Sequence, residues 1–221
     1  MDCIAHRGFA GVAPENTVQA LEAAAATAEW VEFDVRRCGT GELVVIHDET
    51  VDRVTDGTGR VDELSRAELA SLNVLDTGTG VPALDIVLKA VPESTGLNIE
   101  LKEQGLAADV AEVLSAHDHR VLVSSFDPDA LAALRAVADL PRALLFAEAP
   151  TANLDRAREL GIDAVHPHWD LCSASFVQRA HEAGFIVNCW TIDSEAAAEQ
   201  AQAAGVDGIA SDYPRFCDWR R

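Results

Sequence analysis

The sequence predicts an α/β fold, a (β/α)8 TIM barrel with a short insertion after its second strand and the hairpin that follows. Three observations predict it. Short apolar runs alternate with Ala- and Glu-rich helical stretches along most of the 221 residues. Three later segments share one pattern, Gly161-Ile-Asp-Ala-Val-His166, Gly184-Phe-Ile-Val-Asn188 and Gly205-Val-Asp-Gly-Ile209, spaced by about one helix plus one strand. Eight runs read as parallel strands, the number that closes such a barrel. The competing arrangement is an open doubly wound sheet, but neither G-x-G-x-x-G nor G-x-x-x-x-G-K-[ST] occurs.

The elements follow in order. Residues 3–6 form the first strand. Asn16 with Gln19 resembles a capping box, which would open a helix through Leu21 and Ala25. Residues 30–36 form the second strand. The run 43–47 comes after only Cys38-Gly-Thr-Gly41, which is hairpin spacing and too short for a parallel crossover. Residues 48–83 break the rhythm. They are rich in Asp, Thr and Gly, with one short helix announced by Ser65-Arg-Ala-Glu68. They read as an insertion too small for its own core, within a single domain spanning 1–221. Pro82-Ala-Leu84 leads into the next helix, and 98–102 is the next strand. Leu106, Val110, Val113 and Leu114 make one helical face before the strand 121–125. Asp127-Pro128 is a helix start, with Pro at the first helical position. Strands at 142–146, 163–166, 185–190 and 207–211 complete the count. Gly161, Gly184 and Gly205 stand where helices end, and Ser194 caps the helix that runs to Gly205.

Composition narrows the function classes. Hydrophobic residues make up 48% and charged residues 24%, so the chain folds. The 37 acidic against 17 basic residues give a net charge of −20, which a phosphate backbone repels. Nucleic acid and anionic membranes are therefore excluded as first expectations. No run approaches 18 apolar residues, so no membrane span is expected. The amino terminus shows no export signal. The five scattered cysteines read as reduced, mostly buried thiols, which together place the protein in the cytoplasm. Only Lys89 and Lys102 are lysines, and this pattern resembles the acidic proteins of salt-loving microbes.

Barrel sites sit at the carboxyl ends of the strands, and here those ends are polar. His6-Arg7-Gly8, Glu32-Phe33-Asp34, His47-Asp48, Glu100-Leu101-Lys102, Trp190-Thr191 and Ser211-Asp212-Tyr213-Pro214 all occupy such ends. The period of two puts Glu32 and Asp34 on one face, and likewise Glu100 and Lys102. A two-residue Gly39-Thr40 loop would place position 47 opposite 32, bringing His47 to the same face. Three converging carboxylates without a Cys ligand suit Mg²⁺ or Ca²⁺. Two flanking histidines suit proton transfer, and Arg7 with Lys102 suits an anion. That combination describes phosphoryl chemistry. His166 and His168 read as structural groups, and Trp190 as core or as a pocket wall.

These segments, with Pro14-Glu15-Asn16-Thr17, resemble in order the motifs of the glycerophosphodiester phosphodiesterase family over nearly the whole chain. The resemblance implies a TIM barrel with a small insertion after the second strand. It implies Glu32, Asp34 and Glu100 as ligands of one Mg²⁺ or Ca²⁺, and His6 and His47 as an acid/base pair. Arg7 and Lys102 would hold the phosphate, and Trp190 would line the glycerol side. Pro14 to Thr17 would be a helix-start element without a catalytic group. The implied reaction is metal-dependent hydrolysis of a small-molecule phosphodiester to glycerol phosphate and an alcohol. The competing readings are a related barrel phosphodiesterase acting on intact phospholipids and a non-catalytic phosphoester-binding barrel. Two places depart from the family pattern: the short stretch Asn73 to Gly80, and Asp193 where Asn is common.

Overall fold

Apolar side chains alternate with polar or small ones along the strands, and that alternation decides which way each face points. The computed structural model describes residues 1–217. Its strands are β1 (Asp2–Ala5), β2 (Trp30–Arg37), β3 (Leu43–Val45), β4 (Gly96–Leu101), β5 (Val121–Ser125), β6 (Arg142–Phe146), β7 (Ala164–Pro167), β8 (Ile186–Cys189) and β9 (Gly208–Ser211). All nine lie on the runs the sequence marks. The eight parallel strands run β1-β2-β4-β5-β6-β7-β8-β9, and β9 closes on β1 through pairs from Asp2↔Gly208 to Ala5↔Ser211. β3 is antiparallel and pairs with β2 above the two residues that β1 occupies.

The helices are α1 (Val18–Ala24), α2 (Arg66–Ser71), α3 (Leu84–Ala90), α4 (Ala107–Leu114), α5 (Pro128–Val137), α6 (Pro150–Leu160), α7 (Ala174–Glu182) and α8 (Glu195–Ala204). All but α2 alternate with barrel strands, and a 3-10 turn, Pro214–Phe216, follows β9. Val31, Phe33 and Val35 turn outward and are fully buried in one apolar cluster with Leu21, Leu84 and Leu88 from the helices. Burying each such side chain contributes about 1.5–3 kcal/mol. A second cluster joins the later strands to α6, α7 and α8. With stability supplied outside the barrel, the inward positions of β2 and β4 can carry charge.

α2 lies in the insertion and carries the capping box expected of Ser65 and Glu68. The insertion packs Val51, Val54, Val61, Leu69, Val74 and Val81 into one cluster with Cys38, Val44 and Ile46, so its core is shared with the hairpin.

Three expectations are corrected. The hairpin turns through three residues, since Cys38 and Glu42 pair across it, and Gly41 takes φ 100°. That is one residue longer than a Gly39-Thr40 loop, and Arg36 therefore pairs with Val44. Continued pairing would carry His47 to the outer face. The pairing ends one residue past β3, at the Ile46 N–H that donates to the Asp34 carbonyl at 3.0 Å; Arg36 Nε donates to the His47 carbonyl at 2.8 Å, and His47 still reaches the site. The helix cap is Thr17, whose hydroxyl accepts from the Ala20 N–H, because Asn16 is committed elsewhere. Finally, Cys3 and Cys217 form a disulfide, since the pairing of β1 with β9 brings both ends of the chain together, with Cα atoms 5.0 Å apart. Cys38, Cys172 and Cys189 are free and buried. The cytoplasmic expectation thereby loses its argument from reduced thiols. No helix among the described residues is long and apolar enough to cross a membrane.

Candidate active site

The pleat of β2 aims Glu32 and Asp34 into the barrel, and the register Asp34↔Glu100 sets Glu100 beside them on β4. One carboxylate oxygen from each lies within 4.8 Å of the others. All three side chains are buried. Burial, with Asp34 next in weight, pushes the Glu32 carboxyl up to about 8. Glu100 is also raised, by burial and by Asp34. Burial would raise Asp34 too, but the charges of Arg7, Lys102 and His47 and a hydrogen bond from Asn16 outweigh it and hold Asp34 low. Glu32 Oε1 and Asp34 Oδ1 have no hydrogen-bond partner. Buried, mutually repelling, under-coordinated carboxylate oxygens fit a hard divalent cation, and this triad could hold one.

The two histidines stand on either side. His6 begins a tight turn, His6–Gly8, at the end of β1. Its Nδ1 lies 2.6 Å from Asp212 Oδ1, and its Nε2 lies 4.0 Å from Glu32 Oε2. His47 Nδ1 lies 2.6 Å from Asp48 Oδ1. Each imidazole thus gives Nδ1–H to a carboxylate and leaves Nε2 for other work. Their environments differ in sign. Burial lowers His6, but the Asp212 hydrogen bond and the Glu32 charge override it and raise the group. Burial also lowers His47, and there it prevails over the pull of Asp34 and Asp48.

Arg7 adopts φ 49°, a left-handed conformation that costs of order 1 kcal/mol. The turn directs its N–H to Glu32 Oε2 at 2.9 Å and its Nε to within 3.3 Å of Asp34 Oδ2. Lys102 Nζ lies 2.6 Å from Glu100 Oε1 and 3.5 Å from Asp34 Oδ1. Trp190 donates Nε1–H to the His166 carbonyl at 2.7 Å and meets the half-exposed Phe126 edge-on at 5.4 Å. One pocket is lined by His6, Arg7, Glu32, His47, Glu100 and Lys102, with Trp190 on its wall. Every site residue expected from the sequence therefore lies in or against this pocket.

His166 and His168 do not form a metal pair. His166 faces Asn188 with Nε2 3.1 Å from Nδ2, while His168 pairs with Asp170 at 2.6 Å. Several partners escaped the sequence reading. Asn16 brackets Asp34: Nδ2–H donates to Oδ2 at 2.8 Å, and Oδ1 accepts the Asp34 N–H at 3.3 Å. So the Pro14 to Thr17 segment does touch the site. Glu15 accepts from both Arg7 and Arg53, and Arg53 also grips Asp48. The hold of Asp212 on His6 and the contact of Phe126 with Trp190 were missed as well. Only Asp48, next to His47, and Asp212, at a strand end, carried a visible signal.

Residues 6–215 match the glycerophosphoryl diester phosphodiesterase family.

The chain belongs to that family.

YhdW of Bacillus subtilis, named for the same activity, is 31% identical over 98% of this chain and 96% of its own length. The glycerophosphodiester phosphodiesterase of Caldanaerobacter subterraneus is 31% identical over 96% of this chain and 93% of its own. Among solved structures, a phosphodiesterase of Oleispira antarctica in complex with sn-glycerol-3-phosphate superimposes with a TM-score of 0.91. It shares 32% identity and covers 98% of this chain and 95% of its own. The fold is therefore the family's TIM barrel, and the activity class is phosphoric diester hydrolysis on a small-molecule substrate.

Proposed function

We propose that this chain hydrolyses glycerophosphodiesters to glycerol phosphate and an alcohol, using one divalent cation and the His6/His47 pair. The carrying observation is the buried triad with two oxygens that accept no hydrogen bond, flanked by two histidines that are each keyed to a carboxylate. Glu32, Asp34 and Glu100 would hold Mg²⁺ or Ca²⁺, which when bound supplies positive charge to polarise a phosphate oxygen.

The chain's own groups account for the rest. Arg7 and Lys102 orient the phosphate and offset its charge. His6, held high, is the group suited to give a proton, and His47, held low, is the group suited to take one. Asp212 and Asp48 fix both ring orientations, so each Nε2 presents to the substrate in one tautomer. Trp190 and Phe126 wall the pocket and limit water.

The test assays glycerophosphocholine and bis(p-nitrophenyl) phosphate with Mg²⁺, with Ca²⁺ and after EDTA. Turnover that EDTA abolishes and either ion restores is expected. His6→Ala and His47→Ala should each lose roughly 100-fold or more in kcat. Full activity in His6→Ala would sink the assignment. As a readout besides turnover, the ion at 100 times its Kd should stabilise the fold by about 2.7 kcal/mol, and Glu32→Gln should cancel the Tm rise.

A further inference from the structure

The turn after β9 is held at three points, and the proposed chemistry uses only one of them. Asp212 gives its carboxylate to His6, with Oδ1 2.6 Å from Nδ1. Its carbonyl accepts the Gly11 N–H at 3.0 Å. Its own N–H donates to Asp193 Oδ1, also at 3.0 Å. Asp193 stands in the loop between β8 and α8, directly before the cap Ser194, and is one of the two departures from the family pattern. It does not line the pocket that holds the triad.

The loop that carries Asp193 is anchored on the same strand end. The Ile192 N–H donates to the Ala210 carbonyl at 2.8 Å, and the Ser211 hydroxyl donates to the Ile192 carbonyl at 2.6 Å. These ties fix where the Asp193 carboxyl lies relative to Asp212. The two carboxyl groups also hydrogen-bond to each other, which requires one of them to carry a proton. Burial, with the charge of Asp212 behind it, pushes Asp193 up against the pull of the Asp212 N–H. Burial would raise Asp212 as well, but the hydrogen bond and charge of His6 prevail and hold it low. The shared proton thus belongs to Asp193. His6 and Arg7 are the other charged groups that face this pair.

We propose that Asp193 is a positioning residue for proton transfer, which holds Asp212 against His6 through two contacts: it accepts the Asp212 N–H and donates its carboxyl proton to the Asp212 carboxylate. The chain His6–Asp212–Asp193 then crosses from the end of β1, past β9, to the loop after β8. Asp193 acts only through Asp212. The proposal rests on the phosphodiesterase reading above.

Steady-state kinetics of Asp193→Ala and Asp193→Asn on glycerophosphocholine, each well below its own Tm, test it. Asp193→Ala loses both contacts, so kcat should fall roughly tenfold, about one hydrogen bond's worth, while KM changes little. Asp193→Asn keeps an oxygen that accepts and an N–H that donates, and should restore kcat to within about threefold. No pH removes that N–H, whereas the wild type gives up its proton as pH rises and sets two like charges side by side. The ratio of Asp193→Asn to wild-type kcat should therefore climb with pH. This readout needs only the isosteric variant, so it decides the matter even if Asp193→Ala does not fold. Full kcat in Asp193→Ala, a loss in Asp193→Asn as deep as in Asp193→Ala, or a ratio flat with pH overturns the proposal. Absent turnover in the wild type overturns the activity reading instead. The proton resonance of His6 Nδ1–H, assigned by its absence from His6→Gln, then still tests the hold on Asp212. It should persist in Asp193→Asn and exchange away in Asp193→Ala, and its persistence in both overturns the proposal.

Discussion

Asp212 shows how much one side chain outside the triad can govern. It sits just past β9 and holds His6 in a single orientation. Asp212→Asn keeps the shape but offers an amide where a carboxylate accepted. It should lower kcat roughly 100-fold while changing KM little, a split that steady-state kinetics on glycerophosphocholine would read. His166 gives the pH prediction. Its native value of about 3 lies below the ordinary 6.5, because burial disfavours the charged ring. Between those values the unfolded chain binds a proton that the native chain refuses. Stability therefore falls as pH drops through 6.5 toward 3. The unfolding free energy measured against pH by denaturant titration should fall less steeply for His166→Gln, by up to about 1.4 kcal/mol per pH unit. At this scale the sequence was legible where a residue type implies its own chemistry. Glu32, Asp34, Glu100 and the two histidines were visible because charge on an otherwise apolar strand needs a reason. Asn16 was not, since an Asn before a helix looks like a cap whether or not its amide turns back to Asp34.

The insertion sets the behaviour of the next scale. Its apolar cluster is anchored by Leu69 on α2, fully buried. Through Arg53 the same segment holds Asp48 and Glu15, which touch His47 and Arg7. Leu69→Ala should cost about 2–5 kcal/mol. It should also lower activity at temperatures well below Tm, because the Arg53 grip loosens before the barrel does. Parallel melting and activity curves would show it; coincident curves would mean that the insertion and barrel fail as one. Strand positions were legible because a buried parallel strand is a short apolar run whatever its partners. The hairpin register was not. Gly39 and Gly41 both permit a tight turn, and choosing between a two- and a three-residue loop takes the tertiary contacts that end β3 at Val45.

The charge balance belongs to the whole molecule. Arg7 and Lys102 meet the triad at the pocket, while many of the acidic residues lie outside on exposed helices and loops. At about 1 M salt the Debye length is ~3 Å, so that outer excess ceases to repel itself. Tm should rise as NaCl is increased from low to molar concentrations, and glycerophosphodiester turnover should persist there. A Tm that falls over that range would refute the salt-adapted reading of the composition. The closed ring has another consequence. His6 stands sixth in the chain, and its partner Asp212 comes 206 residues later, across the β1–β9 seam. During synthesis, the first proton-transfer group is made well before its partner and stays unaimed until β9 has been added. Activity in this protein thus waits on the closing of the β1–β9 seam: a chain without β9 would carry His6 and have nothing to aim it.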